Sequence, residues 1–416
     1  MEPKFHVLRP AHTTLAIREH KKRKFHVKSR SGCLCCKRKR VKCDETRPVC
    51  KRCARSNRSC FYEFDRRLER DWVQDQGLNS PLAQPVYRPT IPAACVSPRG
   101  ATPVDSLLHH YYQNYEAISG GICLPVWSLP GEHGYLLAAV LAVSACHLRH
   151  HAAHPREHEI AECHQQRVAL EGFQAALLQR VDQERSDAML TTAMFLNLMA
   201  FAFVDDARVS ASWVFGSDRA RLGWLSLQLG LKPLLMATAR FRDASALQPM
   251  FEASGTGWQT LSSADLGFTS IPSRWTGLLR PCTADRLGPG ILREPLRALA
   301  ESRLTAAEPC NIFIYLQFVG KLGPEFVELL HHQDDRALWA FGYWLGLLGR
   351  FRLWWLRRRV ERDFGAIAMH LRRRLKQKGD KGDEGAGDWN VGEAKMWENL
   401  IDDLEGLERD WGDAMR

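Results

Sequence analysis

The sequence lacks a long apolar run. Its two longest runs cover residues 135–146 and 188–204, and the second contains Thr and Asn. Both are shorter than the roughly 18–20 apolar residues that a membrane-spanning helix needs. We therefore predict no membrane span and interpret both runs as buried core helices. The N-terminal residues have no apolar segment followed by a small-residue cleavage site, so we expect no secretory signal and a reducing compartment.

The sequence motifs of common enzyme classes are also missing. The chain contains no G-x-S-x-G, no P-loop, no H-E-x-x-H and no pair of carboxylates at a catalytic spacing. The segment SGTG at residues 254–257 is interpreted as a loop and not as a phosphate-binding site. We therefore predict that the protein is not an enzyme.

Acidic residues are scarce at one end of the chain. Residues 1–60 contain 19 Lys and Arg against 4 Asp and Glu, a net charge of +15, whereas residues 61–416 carry −4 of the total of +11. Such an asymmetry indicates a polyanionic partner for the N-terminal end.

The same end holds seven of the thirteen cysteines, all within residues 33–60. Six of them repeat the spacing C-x2-C-x6-C: Cys33, Cys36 and Cys43, then Cys50, Cys53 and Cys60. A C-x2-C pair suits two ligands of a tetrahedral Zn²⁺. Six sulfurs give two zinc ions four ligands each if two cysteines are shared. The alternative is a single-zinc ribbon that leaves Cys43 and Cys60 unused.

Metal is expected to hold this segment together because apolar residues are few. Between the cysteines, only Leu34, Val41 and Val49 could form a core. Segments this small and polar need a metal or disulfides to fold.

Across residues 33–60 the sequence resembles the fungal zinc binuclear cluster (Zn2Cys6) transcription factors. Basic residues fill the first six-residue gap, and Pro48 lies two positions before the fourth cysteine of the repeat. The resemblance implies two zinc ions per chain, with Cys33 and Cys50 as bridging ligands. It also implies four terminal ligands: Cys36, Cys43, Cys53 and Cys60.

Double-stranded DNA is the partner that this resemblance implies, with base contacts from Lys39 and Arg40. Lys and Arg commonly bind guanine in the major groove, so a CGG-like site is expected. Other cations are predicted to contact phosphates: Lys37, Arg38, Lys42, Arg47, Lys51 and Arg52. Upstream, Lys21, Lys22, Arg23 and Lys24 form a basic run that predicts nuclear localisation.

The remaining sequence predicts a large all-α domain. From Asp105, a plausible helix N-cap, the pattern is helical and no alternating strand pattern occurs. Residues 105–205 resemble the fungus-specific regulatory domain of sterol-uptake-control-type regulators, which implies a regulatory role and, as in some relatives, a small hydrophobic ligand. The fold class predicted is therefore a small zinc-stabilised binuclear cluster domain plus a large all-α regulatory domain.

Composition divides the chain into six predicted segments. They are a disordered basic arm (1–30), the Zn2Cys6 DNA-binding domain (31–64), a proline-rich linker with a short helix (65–104), the all-α domain (105–375), a flexible polar loop (376–390) and an acidic amphipathic helix (391–416).

Three features of the all-α domain have alternative interpretations. Five histidines between His147 and His158 suggest a second metal site, but a helix end with exposed histidines is favoured. The Trp-rich, then basic, segment 337–364 is interpreted as a core helix whose arginines reach solvent, in preference to a membrane-surface helix. The acidic C-terminal helix either binds transcriptional coactivators or packs onto the domain.

Together these observations predict a nuclear, zinc-dependent transcription factor for RNA polymerase II genes that regulates secondary-metabolite biosynthesis or sterol metabolism. The alternative is a zinc module that binds RNA or protein, with the helical domain as a scaffold.

Overall fold

The computed structural model describes residues 36, 39, 41–46, 50–56, 91–119, 133–152, 155–216, 218–253, 271–279, 289–381 and 391–415. Several predictions concern residues outside this set. They include the basic arm with Lys21–Lys24, the ligands Cys33 and Cys60, the cations Lys37, Arg38, Arg40 and Arg47, and the loop at 254–257.

The described residues form thirteen α-helices, several 3-10 helices and no strand. A short helix α1 (Lys51–Arg55) belongs to the cysteine-rich segment. The others are α2 (Val104–Ser119), α3 (Gly134–His151), α4 (Arg156–Leu177), α5 (Gln183–Ala202), α6 (Gly223–Ala237), α7 (Gln248–Ala253), α8 (Arg293–Leu304), α9 (Ile312–Gly320), α10 (Pro324–His331), α11 (Asp335–Leu348), α12 (Trp354–Lys381) and α13 (Val391–Met415). The predicted fold class, a zinc cluster segment and an all-α domain, is confirmed.

The two longest apolar runs form the centre of the helical domain, as α3 and α5. Helix α3 packs against α2, α4 and α5, while α5 also packs against α6 and α12. Helix α5 begins after Asp182, which is its N-cap and whose side chain accepts the N–H of Arg185 at 2.8 Å. Asp187 is instead buried, and it accepts hydrogen bonds from Ser245 Oγ at 2.5 Å and Ala246 N at 2.9 Å.

The Trp-rich segment forms two helices where one was predicted. Helices α11 and α12 are separated at residues 349–353. On α11, Trp339 and Trp344 are fully buried, and their indole N–H groups donate to Leu400 O at 2.7 Å and Tyr315 O at 2.9 Å. Large rings are buried here because each N–H finds a backbone acceptor.

Two arginines of α12 are buried, which corrects the prediction that this helix exposes its arginines. Arg359 and Arg362 are 3 % and 5 % exposed and both reach Asp363, which is fully buried. Arg359 also donates to the carbonyls of Phe201 and Phe203, at 2.8 and 2.5 Å. These carbonyls lie at the C-terminus of α5, where a cation is favoured by the helix dipole. The burial lowers the pKa of Arg359 to about 10.

The structure differs from two of the predicted segment limits at one end. The flexible loop was expected from residue 376, but α12 continues to Lys381. The linker was expected to reach residue 104, but residues 91–103 lie against α4. There, Gln165 donates to Cys95 O at 2.6 Å, and the Thr102 hydroxyl lies 2.7 Å from His158 Nδ1.

The acidic helix α13 packs onto the domain. Its apolar residues are buried: Trp397, Leu400, Ile401, Leu404, Leu407 and Trp411. Trp411 lies over Gly346 and Gly349 of the α11 end and donates to Gly346 O at 2.8 Å. A Cβ at position 349 would meet the Trp411 ring at 2.1 Å, so only glycine allows this approach. Of the two interpretations of this helix, the structure favours packing.

Candidate metal centre

Helix α1 fixes one pair of cysteines. Cys50 is its N-cap, in an extended conformation, and its Sγ accepts the N–H of Cys53 at 3.3 Å. The sulfur thus takes the place of the oxygen that usually caps a helix. This capping places the side chains of both cysteines on the same, buried side of the turn, where they are 0 % and 2 % exposed.

The other half of the repeat brings its sulfurs to the same point. Cys36 Sγ lies 3.8 Å from Cys50 Sγ and 4.0 Å from Cys53 Sγ, and the sulfurs of Cys36, Cys43 and Cys50 all lie within 4.8 Å of one another. A disulfide requires an S–S distance of about 2.05 Å. A tetrahedral zinc with Zn–S bonds of about 2.3 Å separates its sulfurs by about 3.8 Å. The spacing therefore fits thiolates around a metal.

The electrostatic surroundings also fit a cation. Burial raises the pKa of the Cys50 thiol, and a thiolate that close to three other sulfurs needs a neighbouring positive charge. Backbone N–H groups supply only part of it, from Cys53 to Cys50 Sγ and from Glu45 to Cys43 Sγ at 3.4 Å. Soft sulfur donors in a tetrahedral arrangement are typical of zinc sites.

Asp44 holds the connection between the two halves. Its Oδ2 accepts hydrogen bonds from the Thr46 hydroxyl at 2.6 Å and from Lys51 N, at the start of α1, at 3.1 Å. The Thr46 hydrogen bond is the main cause of the lowered pKa of the Asp44 carboxyl. These hydrogen bonds hold the loop in which Glu45 adopts a positive φ of 59°.

Cations surround this small unit without being buried in it. Of the predicted DNA contacts, Lys39, Lys42, Lys51 and Arg52 belong to the described residues, and all four are exposed. Their charges are therefore available to phosphates or base edges.

The histidines of the helical domain were predicted to be an exposed helix end, and this is wrong for His147. It is 1 % exposed, and its Nδ1 lies 2.9 Å from Nε2 of His110, which is 3 % exposed. One ring of such a pair donates and the other accepts, so the accepting ring nitrogen carries no proton. Among the residues that the structure describes, Cys36, Cys43 and Cys50 form the one group of three or more side chains placed to bind a metal.

Protonation of this histidine pair should destabilise the helical domain in mild acid. Burial lowers the pKa of His110 to about 3 and that of His147 well below its usual value, and the neighbouring His151 adds to both shifts. The unfolded histidines take up protons below about pH 6.5, so stability is full above that pH and falls as the pH decreases toward the folded pKa. For His110 alone we expect a loss of about 2 kcal/mol between pH 7 and pH 5.

Urea unfolding of the full chain at several pH values measures this loss. The variant His110→Gln should have a shallower dependence, whereas His332→Gln, at a 71 % exposed side chain, should behave as the unaltered chain does. An unchanged pH dependence in His110→Gln would contradict the assignment.

Two family profiles match the chain. Residues 31–70 match the fungal Zn(2)-Cys(6) binuclear cluster domain, and residues 107–216 match the fungal specific transcription factor domain. These matches confirm the resemblance seen in the sequence. They also assign two zinc ions to the cysteine-rich segment.

Relatives with these domains occur in several fungi. The chain is 30 % identical over 202 residues to the Zn(2)-C6 fungal-type transcription factor afumD of Aspergillus fumigatus. The aligned region covers 44 % of this chain and 49 % of that protein. A Zn(2)-C6 fungal-type transcription factor of Gibberella zeae is 23 % identical over 413 residues, 82 % of each chain. Sterol uptake control protein 2 of Candida albicans is 58 % identical over 41 residues, 10 % of this chain and 6 % of that protein.

The matched regions thus span about half of the length of the Aspergillus relative and a small part of the Candida one. No solved structure matches the chain. In the part of the chain that the structure describes, no helix combines the length and the apolar character needed to cross a bilayer.

Proposed function

We propose, from the premise that this chain carries a fungal Zn(2)-Cys(6) binuclear cluster domain and a fungal specific transcription factor domain, that it is a zinc-dependent, sequence-specific DNA-binding transcription factor. The observation that carries the proposal is the group of buried sulfurs at tetrahedral spacing, surrounded by exposed cations. A positively charged surface on a rigid scaffold is suited to a polyanion such as duplex DNA.

The zinc ligands that we propose are the six cysteines of the repeat. Cys36, Cys43, Cys50 and Cys53 are supported by their burial and mutual distances. Cys33 and Cys60 complete the set by the symmetry of the spacing. Bound zinc supplies charge neutralisation and a fixed fold for the loops, and these residues hold it as thiolates.

The roles proposed for the cations follow the family resemblance. We propose Lys39 and Arg40 for base contacts in a CGG-like site, and phosphate contacts for Lys42, Lys51 and Arg52, with Lys37, Arg38 and Arg47 in the same role. Exposure of Lys39, Lys42, Lys51 and Arg52 supports this division. We accordingly propose that this protein is nuclear and that the run Lys21–Lys24 is its import signal.

The helical domain is proposed to regulate the factor. The match to the fungal specific transcription factor domain supports this role, and a small hydrophobic ligand is the proposed effector. Coactivator binding is part of the proposal, although the apolar face of α13 is buried and is not the surface available for it. We propose RNA polymerase II genes of secondary-metabolite or sterol metabolism as targets.

Selection of binding sites from random DNA duplexes tests the function. We expect enrichment of sequences that contain CGG, because cations on a rigid scaffold read guanine edges in the major groove. Binding should weaken with salt, with a slope of log K against log salt near −5 if about six phosphates are contacted. Enrichment of no sequence, or a preference for single-stranded RNA, would support the rival assignment to an RNA- or protein-binding scaffold.

Two single variants test the proposed base contact and the proposed phosphate contact separately. Lys39→Ala should cost about 1–3 kcal/mol on CGG-containing DNA and relax the selected sequence. Lys51→Ala, an equally exposed cation on α1, should weaken binding to all duplexes evenly and reduce the salt slope by about one.

A further inference from the structure

A pocket lies between α6 and α9 of the helical domain, away from any predicted site. It is a partly open cleft on the surface of the domain. Its apolar lining comes from both helices: Leu231, Leu235, Met236, Phe313, Leu316 and Val319. A partly enclosed apolar cleft with a few polar groups is the usual form of a small-molecule site.

Helix α6 is poorly covered for so apolar a sequence. Of its fifteen residues only Trp224, Leu225, Leu234 and Leu235 are buried. Leu227 and Met236 remain 44 % and 55 % exposed. Met236 lines the cleft, so an apolar group bound there would remove it from water, whereas Leu227 is outside the lining.

The polar part of the pocket is cationic. Lys232, Arg242 and Lys321 contribute to the lining, and no carboxylate does so among the lining residues that the structure describes. Lys232 Nζ donates one hydrogen bond to Gly320 O at 2.8 Å, which leaves two further N–H donors on that ammonium. Lys321 has a carboxylate neighbour in Glu301, which lies outside the lining.

Amide groups add to these donors. Gln317 lines the same cleft, and Gln228 is held in place by its own hydrogen bond to Asn197 O at 3.0 Å. Arg242 lies over the Phe251 ring at 5.5 Å, which fixes its guanidinium at one side of the opening. An apolar slot with several cations beside it complements a molecule with an apolar body and one negative end.

We propose that this pocket binds an amphiphilic monocarboxylate of the fatty-acid type. The hydrocarbon chain lies between α6 and α9, and the carboxylate meets Lys232, Lys321 and Arg242. A neutral amphiphile fills the same slot but brings no negative charge to these cations. This inference rests on the proposed function in one respect: the proposed function gives the helical domain a small hydrophobic effector, and the inference names the chemical class of that effector.

Calorimetric titration of the full, zinc-loaded chain tests the proposal, with dodecanoate and 1-dodecanol as probes below their aggregation limits. Dodecanoate should bind at least about tenfold more tightly than dodecanol, since a charge-assisted hydrogen bond has about that effect. The double variant Lys232→Met and Lys321→Met should lose about tenfold of its dodecanoate affinity and none of its dodecanol affinity. Lys376→Met, an exposed lysine of α12 outside the pocket, is the matched control.

Equal affinity for the two probes, absence of binding, or unchanged dodecanoate binding in the double variant would each overturn the inference. Leu316→Trp fills the slot and should abolish binding of both probes. If this variant still binds them, the ligand lies elsewhere and the inference is overturned. Binding of a CGG-containing duplex is measured on the same samples. Loss of DNA binding with dodecanoate binding intact contradicts the proposed function alone, and the reverse result contradicts this inference alone.

Discussion

The variant Cys50→Ala is expected to lose zinc and, with it, specific DNA binding. Cys50 is fully buried, caps α1 and lies within 4 Å of Cys36 Sγ and Cys53 N. Structural zinc contributes about 10–16 kcal/mol to small domains, which is as large as the whole stability of an ordinary domain. Among the described residues of this segment, Val41 is the one partly buried hydrophobic residue packed against the four cysteines, so these residues form no apolar core that could replace the zinc.

We expect the zinc content to fall from two ions per chain to one or none. Affinity for the selected duplex should fall to the non-specific level, about 10³-fold or more. Elemental analysis and fluorescence anisotropy measure the two quantities, and a chelator added to the unaltered protein should reproduce both. Cys163→Ala removes an exposed cysteine of α4 and should change neither. A Cys50→Ala protein that retained two zinc ions and its DNA affinity would refute the proposed ligand set.

Asp363→Ala is expected to destabilise the helical domain by about 3–5 kcal/mol, the usual effect of removing one partner of a buried ion pair. Asp363 is fully buried and accepts hydrogen bonds from Ser212 Oγ and Arg362 Nε, both at 2.8 Å. Arg359 reaches the same carboxylate at 3.5 Å. Without it, two guanidinium groups stay buried with no carboxylate beside them other than the exposed Asp205.

Denaturant unfolding followed by tryptophan fluorescence measures this effect. The matched control is Glu361→Ala, two residues away on the exposed side of α12, where the pair with Arg357 is half exposed at both ends. A surface pair of that kind contributes about 0–1 kcal/mol. Zinc content should be unchanged in both variants. A loss below about 1 kcal/mol in Asp363→Ala would show that the buried network is not a main source of stability.

The cysteine-rich segment was predictable because its information is local. Ligand spacing is a property of the sequence, and a C-x2-C pair can place both of its sulfurs on one tetrahedral ion whatever the rest of the fold does. The repeat predicts Cys36, Cys43, Cys50 and Cys53 as a group. In the structure, Cys36 Sγ lies 3.8 and 4.0 Å from the sulfurs of Cys50 and Cys53, and the sulfurs of Cys36, Cys43 and Cys50 lie within 4.8 Å of one another. Asp44 carries no such signal, since its role as the link to α1 depends on the turn at Glu45.

Helices were predicted well in type and less well in extent. Apolar runs identified α3 and α5, but the start of α5 depended on a single capping side chain. Asp182 begins α5 because its carboxylate reaches the N–H of Arg185, whereas the equally suitable Asp187 is used by Ser245 from another element. Sequence alone cannot decide between two such residues, because the competing partner is distant along the chain.

By itself the sequence determined the metal, the candidate sulfur ligands, the basic surface and the all-α class, because each depends on residue type at short spacing. Tertiary structure alone decided that His110 meets His147, that α12 buries two arginines against Asp363, and that α6 and α9 leave a cationic pocket between them. His110 and His147 are 37 residues apart along the chain, and Asp363 accepts a hydrogen bond from Ser212, which is 151 residues away. Burial of polar groups is settled by the partners that folding brings to them, and those partners are invisible in a local pattern.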